Sequence, residues 1–187
     1  GAVALLTVDG TWRRGRKSPM KSVIDEVAKV APTLRKVVVF KHVDEPIEWT
    51  EGRDHWWHEL CSGRPETSPT EVMAADAPVM LMYTSGTTGK PKGTVHSHCG
   101  FITKLALDIG LCNDFKSSDR FLWMSDMGWM VGPLLIVSST LLGGTMLMAD
   151  GAPDYPDPGR MWRLTQQFRA TILGISPTTI RGFMRNR

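Results

Sequence analysis

Between Thr84 and Gly93 the chain reads TSGTTGKPKG. Thr84, Ser85, Thr87 and Thr88 supply hydroxyl donors, and Lys90 and Lys92 supply positive charge. Gly86, Gly89 and Gly93 let the backbone come close to a ligand and turn its N–H groups toward it. That mixture suits the oxygens of a polyphosphate, which take many donors and need their charge neutralised. The spacing is not that of a Walker-type loop, in which the glycines are four residues apart and Ser or Thr follows the Lys; here Pro91 follows Gly89-Lys90. The ordered string is also far more specific than a flexible surface turn requires. An apolar run, Val79-Met80-Leu81-Met82, leads into it. This predicts a buried strand that delivers the loop to the carboxyl edge of a parallel sheet, where open α/β sheets bind their ligands.

Arg13-Arg14-Gly15-Arg16-Lys17 is the densest basic stretch, and on its own it reads first as a solvated basic turn, with an anion-binding segment as the alternative. Trp129, Met130 and Val131 form an aromatic and Met-containing run that fits either a core or a pocket wall. His96-Ser97-His98-Cys99 has metal-ligating residue types, but no second ligand pair stands at zinc spacing. A helix start that carries two His accounts for it, and no metal site is expected. Cys61, Cys99 and Cys112 are odd in number and without metal spacing, which suggests reduced thiols and a cytoplasmic protein.

With 187 residues, 42% hydrophobic and 22% charged, the chain is long enough to bury a core without staples. A net charge of +3 is too mild to argue for nucleic acid, while small anionic ligands remain compatible with it. The leading residues GAVALLTVDG have no basic n-region, and their apolar run ends in Asp9, so they predict a strand and not a signal peptide. Met127–Ala149 carries no charge and is long enough to span a bilayer, but Gly132-Pro133, Ser138-Ser139-Thr140 and Gly143-Gly144 interrupt it. A buried helix, a Gly-Gly break and a buried strand explain that segment without a membrane.

The elements that would position these residues alternate. Strands are predicted at Val3–Val8, Lys36–Val43, Pro78–Tyr83, Arg120–Met124, Thr145–Ala149 and Ala170–Ile175. Helices are predicted after a Ser18-Pro19 cap, with Val23, Val27 and Val30 as the apolar stripe. Others follow at Gly52–Leu60, Ser97–Cys112, Trp129–Leu142, Pro158–Arg169 and from Pro177 onward. Cys61–Ala77 reads as a surface connection between a leading βα region, 1–60, and the loop-bearing region, 78–187, of one α/β segment. The fold class that follows is α/β, a largely parallel sheet with helices on both faces.

TSGTTGKPKG resembles the phosphate-binding signature of the adenylate-forming enzymes, and the resemblance runs through essentially the whole chain, nearest to acetyl-CoA synthetase and its short-chain relatives. Asp9-Gly10-Thr11-Trp12-Arg13-Arg14-Gly15-Arg16 is similar to the Arg-x-Gly-Arg segment whose arginines meet the nucleotide end of coenzyme A, and Glu51-Gly52-Arg53-Asp54-His55-Trp56-Trp57 to a segment that serves packing. Asp126-Met127-Gly128-Trp129-Met130-Val131-Gly132 resembles the family's DxGWxxG segment, which implies an acyl pocket at Trp129, Met130 and Val131 with Val131 also near coenzyme A. Val131 and Pro133 stand where acetyl-CoA synthetases usually have Thr and His, which opens the substrate to other short or branched acids. Gly151-Ala152-Pro153-Asp154-Tyr155-Pro156 resembles GxPNWP, with Asp154 in place of the Asn near coenzyme A, and Ser176–Arg181 resembles APTAIR.

The resemblance implies a carboxylate, ATP with Mg²⁺, and coenzyme A as the parent's small-molecule substrates, with no nucleic acid and no membrane as partners. It also implies an internal fragment of the large N-terminal domain. The adenine-binding Gly-Glu-Pro segment, the Tyr-x-x-Thr-Glu segment, the ribose-binding Asp and the catalytic Lys of the C-terminal domain have no counterpart in this sequence, so no catalytic residue is assigned and the fragment is expected to be inactive alone. Alternatives are an adenylate-forming enzyme for a larger or aromatic acid or a carrier thiol, or a phosphate-binding folding unit without turnover.

Overall fold

The structure, a computed structural model, describes residues 1–84 and 89–185. The chain divides into two compact units, Gly1–Pro69 and Thr70–Arg187, and the boundary falls in the exposed stretch that follows Cys61.

In the first unit, β1 (Ala4–Val8), β4 (Lys36–Phe40) and β5 (Asp54–Trp56) form a parallel sheet in the order β1-β4-β5. The β-branched run explains the central strand: Val37 and Val39 are wholly buried. Between β1 and β4 lie a hairpin, β2 (Gly10–Arg13) and β3 (Arg16–Pro19), and helix α1 (Lys21–Val30). The Ser18-Pro19 cap is not formed. Pro19 instead closes β3 opposite Gly10, and α1 starts at Lys21 with Met20 as its N-cap and no side-chain cap. The inward stripe of α1 also differs from the Val stripe. Lys21 is buried and Ile24, Asp25 and Ala28 are half-buried, whereas Val23, Val27 and Val30 are 54%, 41% and 81% exposed.

The cause is electrostatic. Lys21 Nζ pairs with Asp54 at 2.8 Å and Asp25 at 2.7 Å and donates to the Glu48 carbonyl, which turns that side of the helix inward. Arg53 completes the network against both Asp25 and Asp54. Gly52–Leu60 is therefore not one helix. Its Asp54 end pairs with β4 as β5, Trp56 stacks on Trp49 at 4.8 Å, and only α2 (Trp57–Cys61) is helical.

In the second unit, β6 (Pro78–Thr84) and β7 (Lys92–Ser97) form an antiparallel hairpin. Among the described residues β6 joins no parallel sheet, and Val79 and Leu81 are 46% and 56% exposed, so the expectation of a buried parallel strand is corrected here. Lys92–Ser97 pairs across the hairpin because the backbone groups of β6 need partners and the chain returns directly beside it. The Ser97 hydroxyl accepts from Gly100 N and caps α3 (His98–Leu105), which runs on as a π-helix through Ala106–Cys112. A second parallel sheet has the order β10-β8-β9, from Ile172–Gly174, Arg120–Trp123 and Thr145–Leu147. Around it lie α4 (Val131–Leu142), α5 (Arg160–Gln167) and α6 (Pro177–Arg185). The core gathers Ile109, Phe115, Phe121 and Leu135, with Trp123, Val131, Leu134 and Ile172 packed against them. Met127–Ala149 resolves into a turn, α4, a break at Gly143 and β9, and no helix among the described residues is long and apolar enough to cross a membrane.

Candidate functional site

Three separate constructions carry the candidate residues. The first is the β6–β7 hairpin. Thr84 and Lys92 face each other at its loop end, followed along the ribbon by Tyr83 and Gly93. Lys90 and Lys92 are exposed, and Gly89 has φ +80° with open space where a Cβ would stand. Gly93 has no such room: a Cβ there would meet Leu81 at 3.2 Å and the Tyr83 ring at 3.3 Å. Ser85, Gly86, Thr87 and Thr88 lie outside the described residues. The arrangement sets two lysines and a hydroxyl at one end of a paired ribbon, a placement suited to an extended anion.

The second construction is the β2–β3 hairpin. Arg13 and Arg16 are paired across it, and Arg14 (φ 49°) and Gly15 (φ 74°) form its two-residue turn. Positive φ at both central positions is the signature of a type I′ turn, and Gly15 supplies the second at no steric cost. Arg13, Arg14, Arg16, Lys17 and Ser18 line an open cavity of about 530 Å³. Lys17 lies over the Trp12 ring at 5.8 Å from its centre and 3.7 Å from Glu45.

At the root of this hairpin stands Asp9, only 1% exposed. Its carboxylate accepts the backbone N–H groups of Gly10, His42, Val43 and Glu45 at 2.8–3.1 Å. Burial alone would raise its pKa, but these donors outweigh burial and hold the carboxyl at about 2. The sequence marks this residue only as the end of the leading apolar run and the start of the arginine segment, and assigns it no role of its own. The available signal was an Asp followed by Gly at the end of a strand, a pattern that favours side-chain capture of backbone N–H groups.

The third construction is the turn into α4. Asp126 Oδ1 accepts Gly128 N at 2.7 Å, and Asp126 O accepts Trp129 N at 3.1 Å. Gly132 is buried so tightly that a Cβ would stand 2.3 Å from the Met127 carbonyl oxygen. Trp129 is 60% exposed, Met130 is half-buried and Val131 packs on the core of the second unit. The turn thus splits the three residues between surface and core. Asp154 is half-buried in the loop before α5. Arg160 straps that loop by donating to the Ala152 carbonyl at 2.6 Å, and Arg163 forks onto Asp157 at 2.6 and 2.8 Å. The Arg163 guanidinium and Gly159 N–H lower the Asp157 carboxyl.

His96 sits edge-on to Phe101 at 5.4 Å, and among the described residues no group of three or more His, Cys, Asp or Glu is placed to hold a metal ion.

The sequence model of the family described as AMP-binding enzyme matches residues 1–187. The chain belongs to that family. Among curated relatives, an acetyl-coenzyme A synthetase of Coprinopsis cinerea is 40% identical over 178 residues, covering 95% of this chain and 27% of that protein. One from Nostoc linckia is 38% identical over 185 residues, covering 98% of this chain and 55% of that protein. The acetoacetyl-CoA synthetase from Streptomyces lividans shares the architecture at a TM-score of 0.84 and 32% identity, over 98% of this chain and 28% of that one. The parallel α/β build is thus that of an acyl-CoA synthetase, and the chain spans between 27% and 55% of the length of these relatives.

Proposed function

We propose that this chain is part of an ATP-dependent acyl-CoA synthetase, in which the β6–β7 hairpin holds ATP phosphates and the β2–β3 hairpin meets the nucleotide end of coenzyme A. The observation that carries the reading is the TSGTTGKPKG string on a hairpin whose ends set Thr84 against Lys92, in a chain matched throughout by the AMP-binding family. Thr84, Ser85, Gly86, Thr87, Thr88, Gly89, Lys90, Lys92 and Gly93 would bind the β- and γ-phosphates. A carboxylate oxygen attacks the α-phosphorus, the bond to the bridging oxygen breaks, and pyrophosphate leaves. The coenzyme A thiol then displaces AMP from the acyl-adenylate. The loop's part is positioning and charge neutralisation, with Mg²⁺ entering alongside the nucleotide as part of the substrate.

Arg13, Arg14, Gly15 and Arg16, with Val131 and Asp154, would border coenzyme A, and guanidinium groups suit its phosphates and adenine. Trp129, Met130 and Val131 would shape the acyl pocket. Val131 and Pro133 bring no side-chain hydrogen-bonding group to it, which favours a short or branched acid other than acetate.

ATP–pyrophosphate exchange by the full-length protein against acetate, propionate, butyrate, isobutyrate and acetoacetate tests the reading. Exchange dependent on one of them supports a short-chain ligase; exchange with none moves the substrate to a larger or aromatic acid. The 187-residue chain by itself is expected to show no acid-dependent exchange.

A further inference from the structure

The arginine hairpin is held at its root by one buried side chain. The chain leaves Asp9 into β2 and comes back to it after β3. Gly10 N donates to the Asp9 carboxylate on the way out, and Met20 N and Lys21 N donate to the Asp9 carbonyl on the way back. The same carboxylate collects His42 N and Val43 N on Oδ1 and Glu45 N on Oδ2, so the hairpin base and the loop after β4 share one anchor. The packing there is close: a Cβ at Gly10 would stand 2.7 Å from Val43 Cγ2 and 3.1 Å from the Ser18 carbonyl. A second tie, Lys17 to Glu45 at 3.7 Å, joins the outer hairpin to that loop.

Beyond these ties the hairpin projects exposed side chains, with Arg13 and Arg16 paired at its end. A two-stranded ribbon is marginal in water without support, so its direction depends on what holds its base. Resting on the reading of this hairpin as the coenzyme A contact, we infer that Asp9 is a positioning residue for coenzyme A: it acts through Arg13 and Arg16, whose direction it fixes by gathering both ends of the hairpin and the 42–45 loop. The anchor is charged throughout the neutral range, since its donors keep the carboxyl at about 2. Four N–H groups converging on one carboxylate form charge-assisted hydrogen bonds, each stronger than a neutral one.

The test uses the full-length protein with Asp9→Asn, Asp9→Glu and Arg16→Ala. Asp9→Asn keeps one acceptor oxygen but sets an amide donor against Glu45 N–H. The expected result is a KM for coenzyme A raised about tenfold, the size of one lost charge-assisted bond. KM for ATP and KM for the acid should stay within about twofold, because a general loss of structure would move all three. Coenzyme A should also protect the hairpin from trypsin less well in Asp9→Asn than in the unaltered protein. A folded Asp9→Asn protein with an unchanged KM for coenzyme A overturns the inference. If Asp9→Asn does not fold, Asp9→Glu decides, since it keeps the charge but displaces it from the four N–H groups: a KM for coenzyme A raised about threefold supports the anchor, and no change overturns it. Arg16→Ala separates this inference from the reading beneath it. An unchanged KM for coenzyme A in that variant removes the hairpin from the coenzyme A site, whereas a raised KM there with a silent Asp9→Asn leaves the site standing and removes only Asp9.

Discussion

Lys92 is the single lysine of the phosphate loop whose backbone is held in a strand, opposite Thr84, while its side chain is exposed. Lys92→Ala in the full-length protein should therefore slow ATP–pyrophosphate exchange by roughly 10²-fold, the scale of losing a charge aimed at a phosphoryl group. Its circular dichroism and urea midpoint should stay unchanged. Gly132 answers to packing and not to charge. With the Met127 carbonyl 2.3 Å from its would-be Cβ, Gly132→Ala must push the turn away from α4. A loss of about 1–3 kcal/mol in urea unfolding is expected, in line with other overpacked sites. The two positions differ in how far the sequence speaks for them. The loop's hydroxyl, Gly and Lys types suggest a phosphate ligand, which is the reading proposed for Lys92. Nothing in the letters of Gly132 shows that a carbonyl of the preceding turn occupies its side-chain space.

Helix α1 shows how far an element can be read before its partners are known. Its helical character was legible from apolar spacing, but its inward face was not, because Lys21 and its carboxylate partners outweigh the Val stripe. Breaking a buried ion pair leaves an uncompensated charge, so Lys21→Ala should destabilise by about 3 kcal/mol. A denaturant titration of the variant checks it, and a cost near zero would show that Arg53 alone can satisfy Asp25 and Asp54. The strands divide in the same way. The VVVF run and RFLW announced β4 and β8 through their β-branched and aromatic residues. The strands β2, β3 and β7 carry Arg, Lys, Gly and polar residues and owe their existence to the partner strand beside them, so composition conceals them.

Across the whole chain, acid should be the condition that unbalances it. Asp9 and Asp54 are each lowered from 3.8 to about 2: burial opposes the shift, and backbone donors for Asp9, or Arg53, Lys21 and Thr50 N–H for Asp54, overcome it. A carboxyl depressed on folding adds stability that is complete above its unfolded pKa and vanishes as pH falls through the folded one. The two together should contribute on the order of 4 kcal/mol at pH 6, lost between about pH 4 and pH 2. The urea midpoint of the chain should stay level from pH 7 to 5 and drop steeply below 4; a flat profile to pH 3 would contradict the assignment. The architecture was legible at this scale because strand and helix signals alternate, but the paired ribbons that carry the two segments proposed to bind anions were not, since pairing partners are not written in local composition. One more consequence follows from the unit boundary. Residues 62–76 are exposed and lack helix or strand, and Glu66 and Glu71 stand among them. A glutamyl endopeptidase should nick the chain there early, at Glu66 or Glu71, and the same stretch is where sequences of different length could be accommodated without disturbing a single core residue on either side.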